Sequence, residues 1–242
     1  MKKTFRGDIE FFYNKLVNKE NFAITRYGDG EMIIMTNRYI NLLNKNTGEF
    51  KYDPKDKTDS FSRDELLKSF QHSSRNYFVG LPCSCCVGSD KFEWMKESSH
   101  QSERNLTWAN IFVNSNYHFF MEKFIPIFDS TDTYIVCNKH SDTSKLPFGV
   151  KGGLPVGTNA WKEDYHIIDE LKKFISDNDI ENSIFLFAAG PFANILVYEL
   201  HSSYPNNTYL NIGSTLDSHL GLGKTRGYLN GAETLEKVCI WN

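Results

Sequence analysis

The stretch Phe22-Ala23-Ile24-Thr25-Arg26-Tyr27-Gly28-Asp29-Gly30-Glu31 joins a short apolar run to a turn with two glycines and two carboxylates. The apolar run predicts a strand. If the turn is extended, Asp29 and Glu31 stand two positions apart and both side chains can face one point. The glycines leave room for a ligand near the backbone, and two carboxylates suit a divalent cation that also holds phosphate oxygens. The alternative is a polar turn in which Asp29 caps the following helix.

Outward from this stretch, strand and helix patterns alternate along the chain. Strands are expected at residues 22–26, 77–81, 110–113, 133–137, 184–188 and 209–212. Helices are expected at residues 8–18, 32–43, 62–71, 90–96, 117–128, 164–176 and 193–201. This alternation predicts an α/β fold: a Rossmann-like, doubly wound, mostly parallel sheet flanked by helices.

In sheets of this kind, ligands bind beyond the carboxyl ends of the strands. Asp29 and Glu31, the glycine-rich loop around Gly152, Gly190 and Asp217 all follow expected strands. We therefore expect them to share one rim and to form a single site.

Composition limits the class of protein. The chain has 242 residues, of which 40% are hydrophobic, enough for one sizeable core, so residues 1–242 are expected to form a single domain. The formal net charge of -3 gives no basic field for nucleic acid. No apolar run is long enough for a transmembrane segment, and the basic start is not followed by the apolar run of a signal peptide. These features predict a cytoplasmic protein.

Five cysteines, with no regular spacing, are expected to be reduced thiols. Cys83, Cys85 and Cys86 suggest a zinc site, for which Cys137 and His140 are the nearest partners in sequence. The alternative, which we favour here, is a loop after the strand at 77–81 with its small thiols packed inward.

Three further segments carry candidate ligand groups. Residues 188–193 predict a strand, a turn and the start of a helix. The backbone amides at Gly190 can hold phosphate or a ribose hydroxyl. The same stretch also weakly resembles the first motif of methyltransferases. Residues 221–225 look like the end of a phosphate-binding loop but lack its first glycine, which excludes nucleotide hydrolysis and leaves Lys224 and Arg226 as positive charges for a diphosphate. Trp161 either stacks on a base or sugar, or packs in the core.

Residues 44–60 are polar and follow the helix that carries the acidic turn. We expect a mobile loop that closes over the site as a lid, with Lys51, Lys55 and Lys57 facing the ligand. The alternative is an inert surface loop.

The motif Arg26-Tyr27-Gly28-Asp29-Gly30-Glu31 resembles the signature of the GT-D-fold glycosyltransferases. Residues 61–71 with 79–82, 157–161 with 164–165, 187–193 with 198–200, and 211–217 are similar to further segments of that family, in the same order. The likeness covers most of the chain. It departs at Gly213-Ser214, where Gly-His is expected, and at residues 114–117, where Arg-Pro-Tyr often occurs; both departures bear on the sugar and the acceptor.

The resemblance implies a metal-dependent glycosyltransferase that moves a sugar from a nucleotide sugar, with UDP as the expected nucleotide, to a glycan or other hydroxyl acceptor. It implies Mn²⁺ or Mg²⁺ held by Asp29 and Glu31 beside the diphosphate. Donor-binding roles are expected for Arg26, Gly28, Gly30, Asn159, Trp161, Gly190, Pro191, Lys224 and Arg226. The expected base is Asp217, or else His219. The alternatives are an S-adenosylmethionine-dependent methyltransferase and a non-catalytic carbohydrate-binding α/β protein.

Overall fold

The computed structural model describes residues 3–43, 50–224, 226 and 236–241. The strands are β1 (Ala23–Arg26), β2 (Ile40–Asn41), β3 (Lys51–Tyr52), β4 (Tyr77–Leu81), β5 (Leu106–Trp108), β6 (Thr133–Asn138), β7 (Gly152–Val156), β8 (Ile184–Ala188) and β9 (Thr208–Asn211). The helices are α1 (Phe5–Val17), α2 (Asp29–Met35), α3 (Lys57–Gln71), α4 (Ser84–Val87), α5 (Ser89–Ser98), α6 (Tyr117–Phe119), α7 (Ile125–Ser130), α8 (Ala160–Glu163), α9 (Ile167–Asp177) and α10 (Pro191–Ser203). A π-helical segment, Phe120–Phe124, joins α6 to α7.

Seven strands form one parallel sheet in the order β5-β4-β1-β9-β8-β6-β7. The chain runs outward from β1 through β4 to β5, crosses to the other half, and returns through β8 to β9. The first and last strands of the sheet therefore meet at its centre, where the strand order reverses. This confirms the predicted Rossmann-like α/β fold. Strands β2 and β3 form a separate antiparallel pair.

Two apolar layers hold the helices against the sheet. On one face, α3, α9 and α10 pack with the sheet residues Ala23, Val79 and Phe185. On the other face, α1 and the helical segment 117–130 pack with their sequence neighbours on the same strands. Alternate strand residues thus point to opposite cores, as the period of two requires. Within the described ranges, no helix is both long and apolar enough to cross a membrane.

One predicted strand and one predicted helix in the first half of the chain are wrong. The strand expected at residues 110–113 is instead β5, which ends at Trp108, and the residues after it form turns. The helix expected at residues 32–43 ends at Met35, because Asn37 adopts a left-handed conformation with φ 58° and the chain turns into β2. Short apolar runs do not separate helix from strand by periodicity alone.

The expected polar lid at residues 44–60 is only partly open to test, since residues 44–49 lie outside the described part of the chain. For residues 50–60, the expectation of an irregular loop is wrong, whereas closure over the site stays a prediction. Tyr52 is fully buried in β3, and α3 begins at Lys57 rather than at residue 62. Asp56 is its N-cap and accepts hydrogen bonds from the amides of Thr58 and Asp59, at 2.8 and 3.3 Å.

The long loop expected after β6 contains an edge strand. All of residues 152–156 pair with β6, from Tyr134 to Asn138. The sequence Gly-Gly-Leu-Pro-Val conceals this strand, because glycine and proline both weaken a strand pattern. Proline is tolerated here because β7 is at the edge of the sheet.

The expectation for the cysteines is also corrected. Residues 84–87 form a single helical turn, α4, and Cys85 and Cys86 are exposed rather than packed inward. Cys137 is buried in β6. The cysteine that joins this group is Cys239, which comes from the last described segment of the chain.

Replacing Asn194 tests how much its hydrogen bonds at the centre of the sheet stabilise the fold. This fully buried amide on α10 bonds the main-chain N–H and C=O of Arg26, at 2.8 and 2.9 Å, and accepts from Asn211 at 2.8 Å. Asn194→Leu leaves buried polar groups without partners, so the free energy of unfolding should fall by about 2–4 kcal/mol. Urea denaturation measures it. The control, Asn178→Leu at an exposed helix end, should change it by less than about 0.5 kcal/mol; equal effects would contradict the assignment.

His201 gives the fold a pH dependence. Burial against its aromatic neighbours lowers its pKa from 6.5 to about 4. In the unfolded chain this histidine is protonated below about pH 6.5, whereas in the folded chain it stays neutral down to about pH 4. The free energy of unfolding therefore falls as the pH drops through that window. The loss approaches about 3 kcal/mol at pH 4. We expect His201→Phe to flatten the acid limb of a stability–pH curve, and the exposed His118→Phe to leave it unchanged.

Candidate functional site

A cleft of about 880 Å³ opens at the carboxyl ends of the central strands. It arises because β1 and β9 pair only at Ala23 and Ile24 and then separate. The turns after β1, β5, β6, β7, β8 and β9 all contribute to its wall. The polar side chains on it are Arg26, Asp29, Glu31, Asn110, Asn138, His140, Asn211, Ser214, Asp217 and Arg226.

The acidic motif is the start of helix α2 rather than an extended turn, so that expectation is wrong. Gly28 is the N-cap, and Asp29 and Glu31 are both in the first turn. Residues two apart on a helix point in different directions. Glu31 turns back and accepts the Gly28 amide at 2.9 Å, which makes it the capping carboxylate in place of Asp29. Asp29 is exposed and Glu31 half-buried, and both line the cleft.

Arg26 links the ends of strands β1, β5 and β9. Its guanidinium donates to the carbonyl of Ala109 after β5 and to the carbonyl of Ile212 after β9. A Cβ on Gly213 would approach the guanidinium to 3.2 Å, so the absence of a side chain at Gly213 leaves room for the Arg26 guanidinium. The side chain is half-buried and lines the cleft, where it adds positive charge beside the acidic turn.

Asp217 is the third carboxylate of the cleft and is only 8% exposed. It lies in the turns after β9, where its amide donates to the Ser214 carbonyl at 3.2 Å. Its charge, after the larger effect of burial, helps to raise the pKa of the Cys137 thiol. His219 is half-buried two residues further on, outside the described lining, whereas His140 is exposed and lines the cleft.

The opposite wall is apolar and was not foreseen. Ile33, Ile40, Leu42 and Phe50 line it. The Phe50 ring lies against two glycines: a Cβ on Gly30 would come within 2.9 Å of it, and a Cβ on Gly190 within 3.6 Å. The only sequence signal was a large apolar residue in an otherwise polar stretch.

Asn159 and Trp161 support that wall from behind. Asn159 adopts φ 60°, and its Oδ1 accepts from the Lys51 amide at 3.0 Å and from the Trp161 indole at 2.9 Å. Trp161 is 1% exposed, with its ring edge-on to Phe50 at 6.3 Å. Both side chains therefore lie in the packed layer under the cleft, not in its described lining.

The remaining predicted residues divide between the cleft and the surrounding structure. Gly28, Gly30, Gly190 and Arg226 line the cleft. Gly190, with φ 56°, is the N-cap of α10, and the buried Pro191 is its first residue, where a missing N–H costs nothing. Lys224 is exposed and outside the described lining.

Comparison with solved structures agrees with this architecture. Two structures of domain of unknown function 1792 match with TM-scores of 0.53 and 0.54, each at 17% identity and over 89% of this chain and 81% of the other. One is the selenomethionine-substituted domain; the other is described as showing that this highly conserved domain has a distinct glycosyltransferase fold. At this identity the likeness establishes the fold. No protein-family model and no curated protein matches the chain.

Gly30→Ala tests the contact that shapes the apolar wall. The new methyl group meets Phe50 at 2.9 Å, and the ring also lies against Gly190 and has the Trp161 ring edge-on at 6.3 Å. We expect the free energy of unfolding to fall by about 1–3 kcal/mol, as overpacking does, and Gly30→Ala with Phe50→Leu to recover part of it. Gly149→Ala, where nothing lies within 4 Å, is the matched control. Equal urea midpoints for Gly30→Ala and Gly149→Ala would contradict this packing.

Proposed function

We propose that this protein is a metal-dependent glycosyltransferase that uses a nucleotide sugar. The observation that carries the proposal is the joint placement of Asp29, Glu31 and Asp217 on one cleft at the strand ends. The cleft belongs to a fold shared with a domain described as having a distinct glycosyltransferase fold. The motif resemblance at residues 26–31 supports the same reaction.

The donor set of the cleft fits a hard divalent cation. Asp29 and Glu31 offer carboxylate oxygens, the ligands that Mg²⁺ and Mn²⁺ prefer. In the described ranges these carboxylates do not form a ready-made group of three ligands. Phosphate oxygens of the donor and water would complete the coordination, which makes metal and donor binding interdependent. Such an ion supplies Lewis-acid stabilisation of the charge on the departing diphosphate.

The chain's own groups would place the donor and acceptor. Arg26 and Arg226 carry positive charge on the same cleft as the carboxylates and suit a diphosphate. The Gly190 turn lines the cleft, and the half-buried side chains of Ile33, Ile40 and Leu42 offer an apolar surface for a base or sugar ring. Asp217 takes the proton of the acceptor hydroxyl. The mostly buried position of this carboxylate on the cleft favours it over His219.

A thermal-shift panel tests the class of ligand. We expect UDP-sugars with Mn²⁺ to raise the melting temperature, and each alone to raise it much less, because a ligand that binds the folded state stabilises it by mass action. Stabilisation by S-adenosylmethionine would instead favour a methyltransferase. A shift with free sugars or glycans but not with nucleotide sugars would favour a carbohydrate-binding protein.

Two isosteric substitutions test the acidic turn. Asp29→Asn and Glu31→Gln remove charge and keep shape, and glutamine retains an oxygen for the Gly28 amide, so the helix cap survives. Each should lower UDP release with a glycan acceptor at least 100-fold, about 3 kcal/mol of transition-state stabilisation, with unchanged urea denaturation. The exposed Asp64→Asn is the control. Normal turnover of Asp29→Asn and Glu31→Gln in EDTA would refute the metal-dependent reaction.

A further inference from the structure

Four thiols meet at one point on the surface beside the cleft. Cys83, Cys85, Cys86 and Cys239, here the cysteine cluster, have all their Sγ atoms within 4.8 Å of one another. The Sγ of Cys83 lies 2.9 Å from that of Cys85 and 3.1 Å from that of Cys86. A disulfide requires about 2.05 Å, and all four cysteines are free. The four thiols therefore lie close together and form no disulfide.

The size of the cluster fits a single tetrahedral ion. With zinc–sulfur bonds of about 2.3 Å, four sulfurs at the corners of a tetrahedron are roughly 3.8 Å apart. The separations run from 2.9 Å to at most 4.8 Å and so span this value, and an ion enters once rotation of the exposed Cys85 and Cys86 side chains widens the two closest pairs. An iron–sulfur cluster holds its cysteines around several metal atoms and bridging sulfides, so it needs a wider arrangement.

The local fold explains how three close cysteines reach one point. Cys83 is the N-cap of the single-turn helix α4, and its carbonyl accepts the amides of Cys86 and Val87 at 2.9 and 3.2 Å. This tight turn brings the three thiols to the same side. Cys85 and Cys86 are exposed, which gives an ion a path into the cluster, while Cys83 and Cys239 are buried.

The surroundings of the cluster suit thiolates. Nζ of Lys237 lies 3.2 Å from Sγ of Cys86. The side-chain amide of Asn114 donates to Cys239 at 3.4 Å, and that of Asn110 approaches Cys86 and Cys239 at 3.8 and 3.9 Å. Four thiolates around a divalent ion carry a net charge of −2, and a lysine with two amides offsets part of it. Donors of this kind orient and stabilise metal ligands.

We propose that the cysteine cluster is a tetrathiolate site for one structural zinc ion. On binding, each thiol releases its proton to solvent and forms one zinc–sulfur bond, with no change of oxidation state. All four positions are filled by the protein, so no position remains for substrate or water, and the ion acts on structure rather than in catalysis. This inference does not rest on the proposed glycosyltransferase function.

The ion would fasten the last described segment to the body of the fold. Residues 236–241 are seated by Trp241, which packs edge-on to Phe92 at 5.1 Å and to Trp108 at 4.9 Å. Cys239 adds the metal link to the turn after β4. Asn110 both lines the cleft and faces the sulfurs, so the metal site borders one wall of the cleft. Removing the ion should therefore loosen this segment and alter that wall.

The decisive measurement is the metal content of the full chain, purified under reducing conditions without chelator. We expect about one zinc per chain, and a cobalt-substituted protein with the strong visible absorption of tetrahedral tetrathiolate cobalt. Cys85→Ala and Cys86→Ala should bind zinc at least tenfold more weakly; because both thiols are exposed, the fold should survive. Cys137→Ala, outside the cluster, should keep the full content.

Three results would overturn the proposal. The first is wild-type protein that carries no zinc and takes up none when zinc is added. The second is an iron-containing chromophore in place of zinc. The third is a zinc affinity, measured by competition with a chelator, that is unchanged from wild type in both Cys85→Ala and Cys86→Ala. As a separate readout, tryptic cleavage after Lys237 should quicken at least tenfold once zinc is stripped, and equal rates would refute the fastening role of the ion.

Discussion

The amide of Asn194 is the constraint on which the centre of this molecule depends. Strands β1 and β9 pair at Ala23 and Ile24 and then diverge, which leaves main-chain groups at the centre of the sheet in need of partners. One buried side chain supplies them: it bonds the N–H and the C=O of Arg26 and accepts from Asn211. The main-chain groups of Arg26 are thereby paired where the two strands part, and Arg26 and Asn211 line the cleft above this gap.

The side chain of Arg26 links the centre of the sheet to the cleft. Its guanidinium crosses from β1 to the carbonyls of Ala109 and Ile212, so the turns after β1, β5 and β9 keep a fixed spacing. The acidic turn then begins one helix, and Glu31 completes its cap. Arg26, to which the family resemblance assigns a role in donor binding, therefore also holds the fold together at this point. A site built on strand ends and a helix start is more rigid than one built on loops.

The two walls of the cleft differ in chemistry because they come from different parts of the fold. The polar wall follows from the parallel sheet, whose carboxyl ends place Asp29, Asn138 and Asp217 on one rim. The apolar wall comes from α2 and the β2–β3 pair, with Phe50 pressed against Gly30 and supported by Trp161. A charged rim together with an apolar surface suits a ligand with an anionic part and a ring, as the proposed donor has.

The sequence by itself determined the fold class and the placement of Asp29, Glu31, Gly190 and Asp217 on one rim, but not that of Gly152, which begins strand β7. Apolar runs such as residues 77–81 and 184–188 are long enough to identify buried strands, and parallel topology alone brings the residues after them together. It did not determine that Asp29 and Glu31 sit on a helix, that Trp161 is buried, or that Phe50 lines the cleft, because these depend on neighbours distant in the chain. The meeting of Cys239 with Cys83 is the clearest case: spacing along the chain carries no information about distance in space, and only packing of the last described segment through Trp241 brings the two thiols together.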